Sequence, residues 1–287
     1  MQRHYRSLKL VGFLTILSIS GASGEERRVA SQEKLDCLIE SSATLKIGAP
    51  VPGLIRNVLV DRGDVVRQGQ RLAELESEVE EAAVAAARSR SENDNPISSG
   101  EARVEFLHRK FKRMETLRAT NTVTEAAYDE AKTDERVAIL ALKEAQLNLD
   151  IAKSELRRAE GLLRQRVILS PLDAVVTERV LGPGEYRTEQ AHILVLARMN
   201  PLYVEVFAPL AMFGQLRPGM IADVEPEAPV GGHYRAAVTV VDTLFDASSG
   251  TFGVRLSLPN PDLSLPGGLR CKIRFLDQAG ALGEAPR

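Results

Sequence analysis

The chain has 287 residues and a net charge of −2 at pH 7, with 37 lysine and arginine residues against 39 aspartate and glutamate residues. This length allows two or three domains of ordinary size, and the balanced charge gives no electrostatic reason to expect a nucleic-acid partner. Tryptophan is absent and aromatic residues make up 5% of the chain, so a platform on which bases could stack is not indicated either.

The first 24 residues have the layout of a secretory signal peptide. Basic residues precede an apolar run over 10–19, and small residues follow at 21–24. The run is shorter than the roughly 20 residues that span a bilayer, and this order of segments is typical of exported precursors. We predict a signal peptide over 1–24 that is cleaved after Ala22 or Gly24. The alternative is that it is retained as an anchor at the inner membrane.

Residues 50–76 and 171–197 form an internal repeat that aligns without a gap. The first copy reads PVPGLIRNVLVDRGDVVRQGQRLAELE and the second reads PLDAVVTERVLGPGEYRTEQAHILVLA. Gly63 aligns with Gly184, and a glycine at the same turn of both copies indicates a backbone position with positive φ. Each copy is too short to bury a core alone. We therefore predict two halves of one small β module, separated by a long insertion.

The insertion, residues 77–165, is predicted to form two long antiparallel helices. Strong helix formers dominate 124–164, and apolar positions there step alternately by four and three, the heptad seam of a coiled coil. The seam residues are Ala138, Leu142, Ala145, Leu149, Ala152, Leu156, Ala159 and Leu163. The partner seam contains Val104, Leu107, Phe111 and Met114 and continues backward in phase through Ile97, Ala86, Ala83 and Val79. The turn is expected near 121–123, with Thr124 as the N-cap of the second helix.

The stretch SENDNPISSG at 91–100 interrupts the first of these helices. Pro96 is expected to break or kink a helix, because proline lacks a backbone N–H and clashes with the preceding turn. The apolar phase continues on both sides, which favours two helical segments on one axis. A short loop that bulges from the hairpin is the alternative.

Residues 200–277 alternate apolar runs with turn residues, which predicts a small β-barrel or sandwich. Residues 33–45 are predicted as a strand that leads into this domain or contributes to it, and 278–287 as a C-terminal tail. This strand would bring Cys37 into the domain that contains Cys271, and the chain has no other cysteine. The two could form a disulfide in an oxidising compartment, and two buried free thiols are the alternative.

The order of these segments resembles that of periplasmic adaptor subunits, the HlyD-like membrane fusion proteins that serve RND efflux pumps and type I secretion. Three stretches carry the resemblance: GLIRNVLVDRGDVVRQGQRLAELES, VILSPLDAVVTERVLGPGEY and DASSGTFGVRLSLPNPDLSLPGGLRCKI. It covers about residues 35–277. It implies an elongated α+β fold, in which a split lipoyl-like (biotinyl/lipoyl) β domain is interrupted by a long antiparallel coiled-coil α-hairpin and followed by a small β-barrel. The implied segments are 46–76 and 166–199 for the two lipoyl-like halves, 77–165 for the hairpin and 200–277 for the barrel.

The resemblance also implies a function. Such a protein is a non-enzymatic periplasmic adaptor that bridges an inner-membrane transporter, here of RND type, to an outer-membrane TolC-like channel. It acts as a homo-oligomer, a hexamer in the complex. An ABC-type exporter is the alternative transporter, and a standalone envelope scaffold is the alternative function. Many members add a membrane-proximal domain after the barrel, which this chain is expected to lack.

Adaptors that dock on TolC-like channels carry Arg, Leu and Ser at the hairpin tip, spaced four and then seven residues apart. Arg113, Leu117 and Thr124 hold this spacing, with threonine in place of serine. The resemblance implies that Arg113 reaches carbonyls of the channel, that Leu117 fills an apolar notch and that the Thr124 hydroxyl bridges. Alternatively, these residues are only a solvated charge, a seam residue and an N-cap.

No residue pattern indicates catalysis, a cofactor or a metal. Carrier domains bear a modified lysine where their halves join, and no such lysine motif occurs at Ser77 or Gln165. The histidines do not share metal-ligand spacing; they are His4, His108, His192 and His233. Nucleophile-elbow and phosphate-loop motifs are also missing. We therefore expect no catalytic residue, no cofactor and no metal site.

Overall fold

The computed structural model describes residues 34–276, and the expected signal peptide (1–24) and C-terminal tail (278–287) lie outside the described residues. Both α-helices and β-strands occur in the described part, which confirms the mixed α and β class. No helix in this part is long and apolar enough to cross a membrane.

The first of two compact units contains Ser41–Leu202 and Asn260–Pro266, and its strands flank a helical insertion. The strands before the helices are β1 (Leu35–Ile47), β2 (Gly53–Val58), β3 (Val65–Val66) and β4 (Arg71–Leu75), and those after them are β5 (Val167–Leu169), β6 (Ala174–Arg179), β7 (Tyr186–Arg187) and β8 (Leu194–Pro209). Only the part of β1 from Ser41 onward and the part of β8 up to Leu202 belong to this unit. β5, β4, β2 and β7 form a sheet in that order. β3 pairs with β6, and β6 pairs with the first residues of β8.

Strands of one repeat copy pair with strands of the other. β2 of the first copy pairs with β7 of the second, and β6 of the second copy pairs with β3 of the first. The backbone N–H of Gly63 donates to the Val176 carbonyl, and the N–H of Gly184 donates to the Ile55 carbonyl, both at 2.8 Å. Gly63 and Gly184 have φ values of 96° and 84°, the positive φ that the alignment predicts. Each half therefore needs the other to satisfy its backbone hydrogen bonds.

Apolar residues from both copies fill one core. Leu72 and Leu75 of the first copy, and Ile193 and Leu196 of the second, are at most 1% exposed and belong to the same cluster. Leu72 aligns with Ile193, and Leu75 aligns with Leu196. Complete burial of one such side chain contributes about 1.5–3 kcal/mol. Aligned positions of the two repeat copies therefore contribute equivalent apolar side chains to one core.

The insertion folds into three helices within the described residues. Their bounds are α1 (Glu78–Ser91), α2 (Asn95–Ala119) and α3 (Glu125–Arg164). α1 and α2 both pack on α3. Ion pairs join Arg90 to Glu155 at 3.0 Å and Lys110 to Asp134 at 2.9 Å, so α3 runs antiparallel to α1 and α2. Pro96 lies in the first turn of α2, where its missing N–H costs no helical hydrogen bond.

The seam predicted for α3 is the inward side of that helix. Ala138 is 2% exposed. The other seam residues are half-buried: Leu142, Ala145, Leu149, Ala152, Leu156, Ala159 and Leu163. In α2, Leu107 is buried, and Val104, Phe111 and Met114 are half-buried. The alternation of four and three residues in the sequence therefore corresponds to the buried side of both helices.

The seam predicted for α1 is wrong. Val79, Ala83 and Ala86 are exposed, and α1 buries the neighbouring set Val84, Ala87 and Ser91. Residues 92–94 lie outside both helices. Because three non-helical residues do not advance the chain by the rotation of a helix, the phase of α2 is not carried back into α1.

The second unit is a β-barrel built around Tyr203–Pro259. Its further strands are β9 (Ile221–Pro226), β10 (Tyr234–Asp246), β11 (Thr251–Leu258) and β12 (Leu269–Phe275). The strand order is β1-β12-β9-β10-β11-β8, and β1 also pairs with β8, which closes the ring. Alternate residues of β9, β11 and β12 are buried, as expected for a barrel, and Phe252, Leu256 and Ile273 are at most 1% exposed.

Candidate partner-binding site at the helical tip

The turn between α2 and α3, the helical tip, is held by hydrogen bonds to the Leu117 carbonyl. This carbonyl accepts from the Thr122 N–H at 3.0 Å and from the Thr120 hydroxyl at 2.9 Å. Asn121 has a φ of 54°, the left-handed conformation that asparagine tolerates better than most residues. These contacts reverse the chain within a few residues and fix where α3 begins.

Thr124 is the N-cap of α3. Its side-chain oxygen accepts a hydrogen bond from the Ala127 N–H at 3.2 Å, which satisfies one of the amides that a helix start leaves without a partner. The hydroxyl hydrogen is not used in this bond and can still be donated. The N-cap that the sequence predicts is therefore present, and it leaves Thr124 one free hydrogen-bonding function.

An aromatic cluster that the sequence reading missed lies beside the tip. The Arg118 guanidinium is 4.2 Å from the centroid of the Tyr128 ring and 2.6 Å from the Glu125 carboxylate. The Tyr128 ring is 5.6 Å from that of Phe111. The heptad pattern predicts Phe111 as a seam residue, but its aromatic partner Tyr128 follows the turn, and the contact between the two rings depends on the conformation of that turn.

Arg113 and Leu117 lie one helical turn apart on α2, and this spacing places them on one face of the helix. Both are exposed, and 38% of the Leu117 side chain remains accessible. The turn then brings Thr124 to the start of the facing helix. Leu117 is connected to this turn through its backbone, so its side chain is available for contact with another molecule.

Most basic residues beside Arg113 already have carboxylate partners. The pairs are Arg109 with Glu105, Lys110 with Asp134 and Lys112 with Glu115. Hydrogen bonds to Asp134 and Glu115 raise the pKa of Lys110 and Lys112 above their usual value. Arg113 makes no ion pair or side-chain hydrogen bond with any residue of 34–276. Among the basic residues of 109–113, Arg113 is therefore the one without a carboxylate partner in the described part of the chain.

Cys37 and Cys271 form a disulfide that joins β1 to β12. They are directly opposite each other in the antiparallel pair, with their Cα atoms 4.9 Å apart and their sulfur atoms 2.07 Å apart. Both are buried. The sequence left open whether they pair, because strand register cannot be read from two isolated cysteines. No cluster of three or more possible metal ligands occurs in 34–276.

One end of the barrel carries an aromatic and aliphatic patch, which we name the barrel-end patch. Its exposed members are Phe207, Leu210, Phe213, Leu244 and Phe245. The Phe213 and Phe245 rings meet edge to face, 4.7 Å apart, above the buried Phe252. Leu244 is 84% exposed. The sequence did not indicate this patch, because its residues come from separate strands and turns.

Two family models match the chain in succession. Residues 43–198, more than half of the chain, match the CzcB-like barrel-sandwich hybrid domain. Residues 201–279 match the CusB-like β-barrel domain. The two matches follow the order of the β module with its helical insertion and the barrel.

Similar proteins have related names. The multidrug resistance protein MdtE of Escherichia coli K12 is 28% identical over 243 residues, which are 78% of this chain and 58% of that protein. The membrane fusion protein MtrC of Neisseria gonorrhoeae is 23% identical over 267 residues, with 88% of this chain and 61% of that protein covered. The chain thus spans less than two thirds of the length of these relatives.

The crystal structure of MacA from Actinobacillus actinomycetemcomitans has the same fold. The TM-score is 0.67 at 20% sequence identity, and the match covers 85% of this chain and 77% of that one. The succession of matching domains, the curated relatives and this shared fold agree. The chain belongs to the membrane fusion proteins, the periplasmic adaptor family of efflux pumps.

Proposed function

We propose that the chain is a non-enzymatic periplasmic adaptor that bridges an inner-membrane transporter of RND type to a TolC-like channel in the outer membrane. Membership of the adaptor family supports the role, and the name of the relative MdtE suggests drugs as cargo. The observation that carries the proposal is Arg113, an exposed cation without a carboxylate partner in 34–276, beside basic residues that have one.

The tip is the surface that meets the channel. The Arg113 guanidinium has several N–H donors in a planar arrangement, which suits the backbone carbonyls of a partner. Leu117 offers an apolar side chain one turn further on, and the Thr124 hydroxyl keeps a hydrogen to donate while it accepts from Ala127. One charged, one apolar and one polar contact would together define a small docking site.

The helices carry the tip away from the β module as an antiparallel coiled coil. The α3 seam is buried at Ala138 and half-buried at every seam position from there to Leu163, which supports this part of the proposal. α3 has 40 residues, and at 1.5 Å per residue it is roughly 60 Å long. A rod of this length would carry the tip well clear of the β module, toward a channel.

The barrel-end patch is the surface that we assign to the transporter. A contiguous group of exposed apolar side chains commonly marks a protein contact, and Phe207 and Leu244 are 71% and 84% exposed. Copies of the chain would assemble as a homo-oligomer between the two membrane proteins, with a hexamer as the expected form.

The experiment places a photo-crosslinking amino acid at Arg113 of the full chain in living cells. The matched control is the same probe at Lys112, the neighbouring residue, whose side chain pairs with Glu115. Mass spectrometry of the crosslinked product would identify an outer-membrane channel at Arg113 and much less of it at Lys112. Capture of no protein, or of this chain alone, would contradict the proposal.

A further inference from the structure

The helical insertion and the β module meet at Arg166, which lies between the end of α3 and the start of β5. One terminal nitrogen of its guanidinium donates to a carboxylate oxygen of Glu80 at 2.6 Å, and the other donates to the Pro52 carbonyl at 3.2 Å. Glu80 belongs to the first turn of α1, and Pro52 directly precedes β2. One side chain therefore connects α1, the end of α3 and the β module. We name these three residues the base clamp.

The ion pair of the base clamp is shielded from solvent on both sides. The side chains of Arg166 and Glu80 are 22% and 18% exposed, whereas those of Lys110 and Asp134, which join α2 to α3, are 32% and 40% exposed. Charges that are partly buried are screened less by salt than exposed ones. Within 34–276 it is also the only ion pair that joins a helix of the insertion to a residue outside the helices.

The first turn of α1 depends on polar contacts of this kind. Val79 is 78% exposed, and the first apolar residue that α1 buries is Val84, in its second turn. The backbone bonds nearby, from the Leu75 N–H to the Arg166 carbonyl and from the Glu76 N–H to the Leu54 carbonyl, end before the helix begins. They fix the connection but hold no helical residue, so the base clamp acts where apolar packing is missing.

Gly53 provides the space that the base clamp occupies. A Cβ atom at this position would come within 2.9 Å of the Arg166 Nη1 atom, which is closer than packed atoms normally approach. Gly53 does not have a positive φ, so its backbone conformation does not require glycine. In the alignment of the repeat it corresponds to Ala174 of the second copy. The first copy therefore has the smaller residue at the position that faces Arg166.

A small rotation at the base of the insertion would become a large displacement at the helical tip. α3 has 40 residues and is roughly 60 Å long. A rotation of about 10° at its base would therefore move the tip by roughly 10 Å. A surface that is already held in its binding position docks more tightly than one that must first be ordered. Control of the direction of the insertion is thus control of docking at the tip.

We propose that Arg166 is a positioning residue, which holds the helical insertion in one direction relative to the β module and so places the helical tip for docking. The planar guanidinium has separate N–H donors for Glu80 and Pro52, a geometry that the ammonium group of lysine does not reproduce. The inference deepens the proposed function and rests on it for the role of the tip. The direction of the insertion can be measured without a channel.

The test measures a distance between the insertion and the β module in the full chain. Spin labels are attached to Lys143→Cys on α3 and Glu178→Cys on β6, both at exposed positions, and pulsed electron spin resonance gives the distribution of their separation. Arg166→Ala should at least roughly double the width of this distribution, because a rotation of about 10° at the base displaces residue 143 by roughly 5 Å. Arg164→Ala is the matched control. It removes an exposed arginine that makes no ion pair within 34–276 and should leave the width unchanged.

Three further variants separate positioning from a general loss of stability. Gly53→Ala removes no charge but displaces the guanidinium, so it should broaden the distribution as Arg166→Ala does. In the Arg166→Ala background, Gly53→Ala should broaden it no further. Arg166→Lys keeps the charge and should restore only part of the narrow distribution. Glu80→Gln removes only the charge of the partner, and it tests the base clamp even where Arg166→Ala fails to accumulate.

Unchanged widths in both Arg166→Ala and Glu80→Gln would overturn the proposal, as would equal broadening by Arg164→Ala. Co-purification of the outer-membrane channel measures the consequence at the tip. We expect Arg166→Ala to reduce it at least roughly threefold relative to Arg164→Ala at equal abundance. A broadened distribution with undiminished channel binding would refute the role in docking. If the wild-type protein bound no channel but Arg166→Ala still broadened the distribution, the base clamp would stand and only the adaptor function would fall.

Discussion

Gly63 donates its backbone N–H to the carbonyl of Val176, across the β module and from a left-handed conformation. The bond joins the two halves that the helical insertion separates in the chain. The equivalent bond, from Gly184 to Ile55, repeats it with the roles of the halves exchanged. The turn glycines are therefore part of the junction between the halves as well as turn residues.

Substitution of either turn glycine should destabilise the module by a backbone effect alone. We expect Gly63→Ala and Gly184→Ala each to cost about 1–2 kcal/mol, the penalty of a left-handed alanine. A Cβ atom at either position would meet no other atom within 4 Å, so steric overlap is not involved. Urea denaturation of the first unit would measure the loss.

Gly182→Ala is the matched control for both variants. A Cβ atom there would also meet nothing within 4 Å, and Gly182 does not have a positive φ. It should leave stability unchanged or raise it slightly, because alanine restricts the unfolded chain more than glycine does. Equal stability of the three variants would disprove the backbone argument.

Most of the architecture can be predicted from the sequence, because the internal repeat and the heptad pattern are both periodic. Alignment without a gap located the turn glycines, and steps of four and three located the α3 seam. The phase of α1 could not be read, since residues 92–94 interrupt the rotation that the pattern assumes. At the tip, spacing located Arg113 and Leu117. The stacking of Arg118 on Tyr128 depends on the conformation of the turn, which spacing does not determine.

Removal of the disulfide should destabilise the barrel. The bond joins residues separated by 234 positions, and crosslinks of this kind typically contribute about 2–5 kcal/mol by restricting the unfolded chain. We expect Cys37→Ala/Cys271→Ala to lower the barrel melting temperature. Reductant should lower that of the wild type to the same value and leave the double variant unchanged. A wild-type melting temperature that is insensitive to complete reduction would contradict this expectation.

The β10–β11 turn should respond to acid through Asp246. The Ser248 hydroxyl and N–H donate to its Oδ1 at 2.6 and 2.9 Å, and these bonds hold the pKa of Asp246 below its usual value. A carboxyl with a lowered folded-state pKa stabilises the fold above its unfolded-state pKa. This stabilisation is lost as the pH falls through the folded-state value.

Ser248→Ala should therefore raise the pKa of Asp246 toward its ordinary value, as measured by NMR titration of the side-chain carboxyl. Ser249→Ala is the matched control, because hydrogen bonding by Ser249 lowers the same pKa to a smaller extent. A larger pKa shift in Ser249→Ala than in Ser248→Ala would contradict the prediction, because it would show that Ser249 is the main cause of the lowered pKa of Asp246.

Loss of the α3 N-cap should loosen the tip. Thr124→Ala removes the oxygen that accepts from the Ala127 N–H, which typically costs about 1 kcal/mol. We expect faster hydrogen exchange of the first-turn amides of α3. Thr124→Ser keeps the acceptor and should exchange at nearly the wild-type rate. Similar acceleration in both variants would mean that the methyl group, not the hydroxyl, holds this end of the helix.

Leu117→Asp should separate docking at the tip from folding. A carboxylate placed in an apolar contact loses its hydration without a compensating partner, so we expect binding of the outer-membrane channel to fall at least roughly tenfold. The fold should tolerate the change, since the Leu117 carbonyl holds the turn and its side chain is 38% exposed.

Ile139→Asp is the control with the same chemistry, distant from the tip on α3. The amount of channel that co-purifies with each tagged variant, at equal abundance, gives the measurement. Undiminished co-purification and export with Leu117→Asp would remove Leu117 from the docking site.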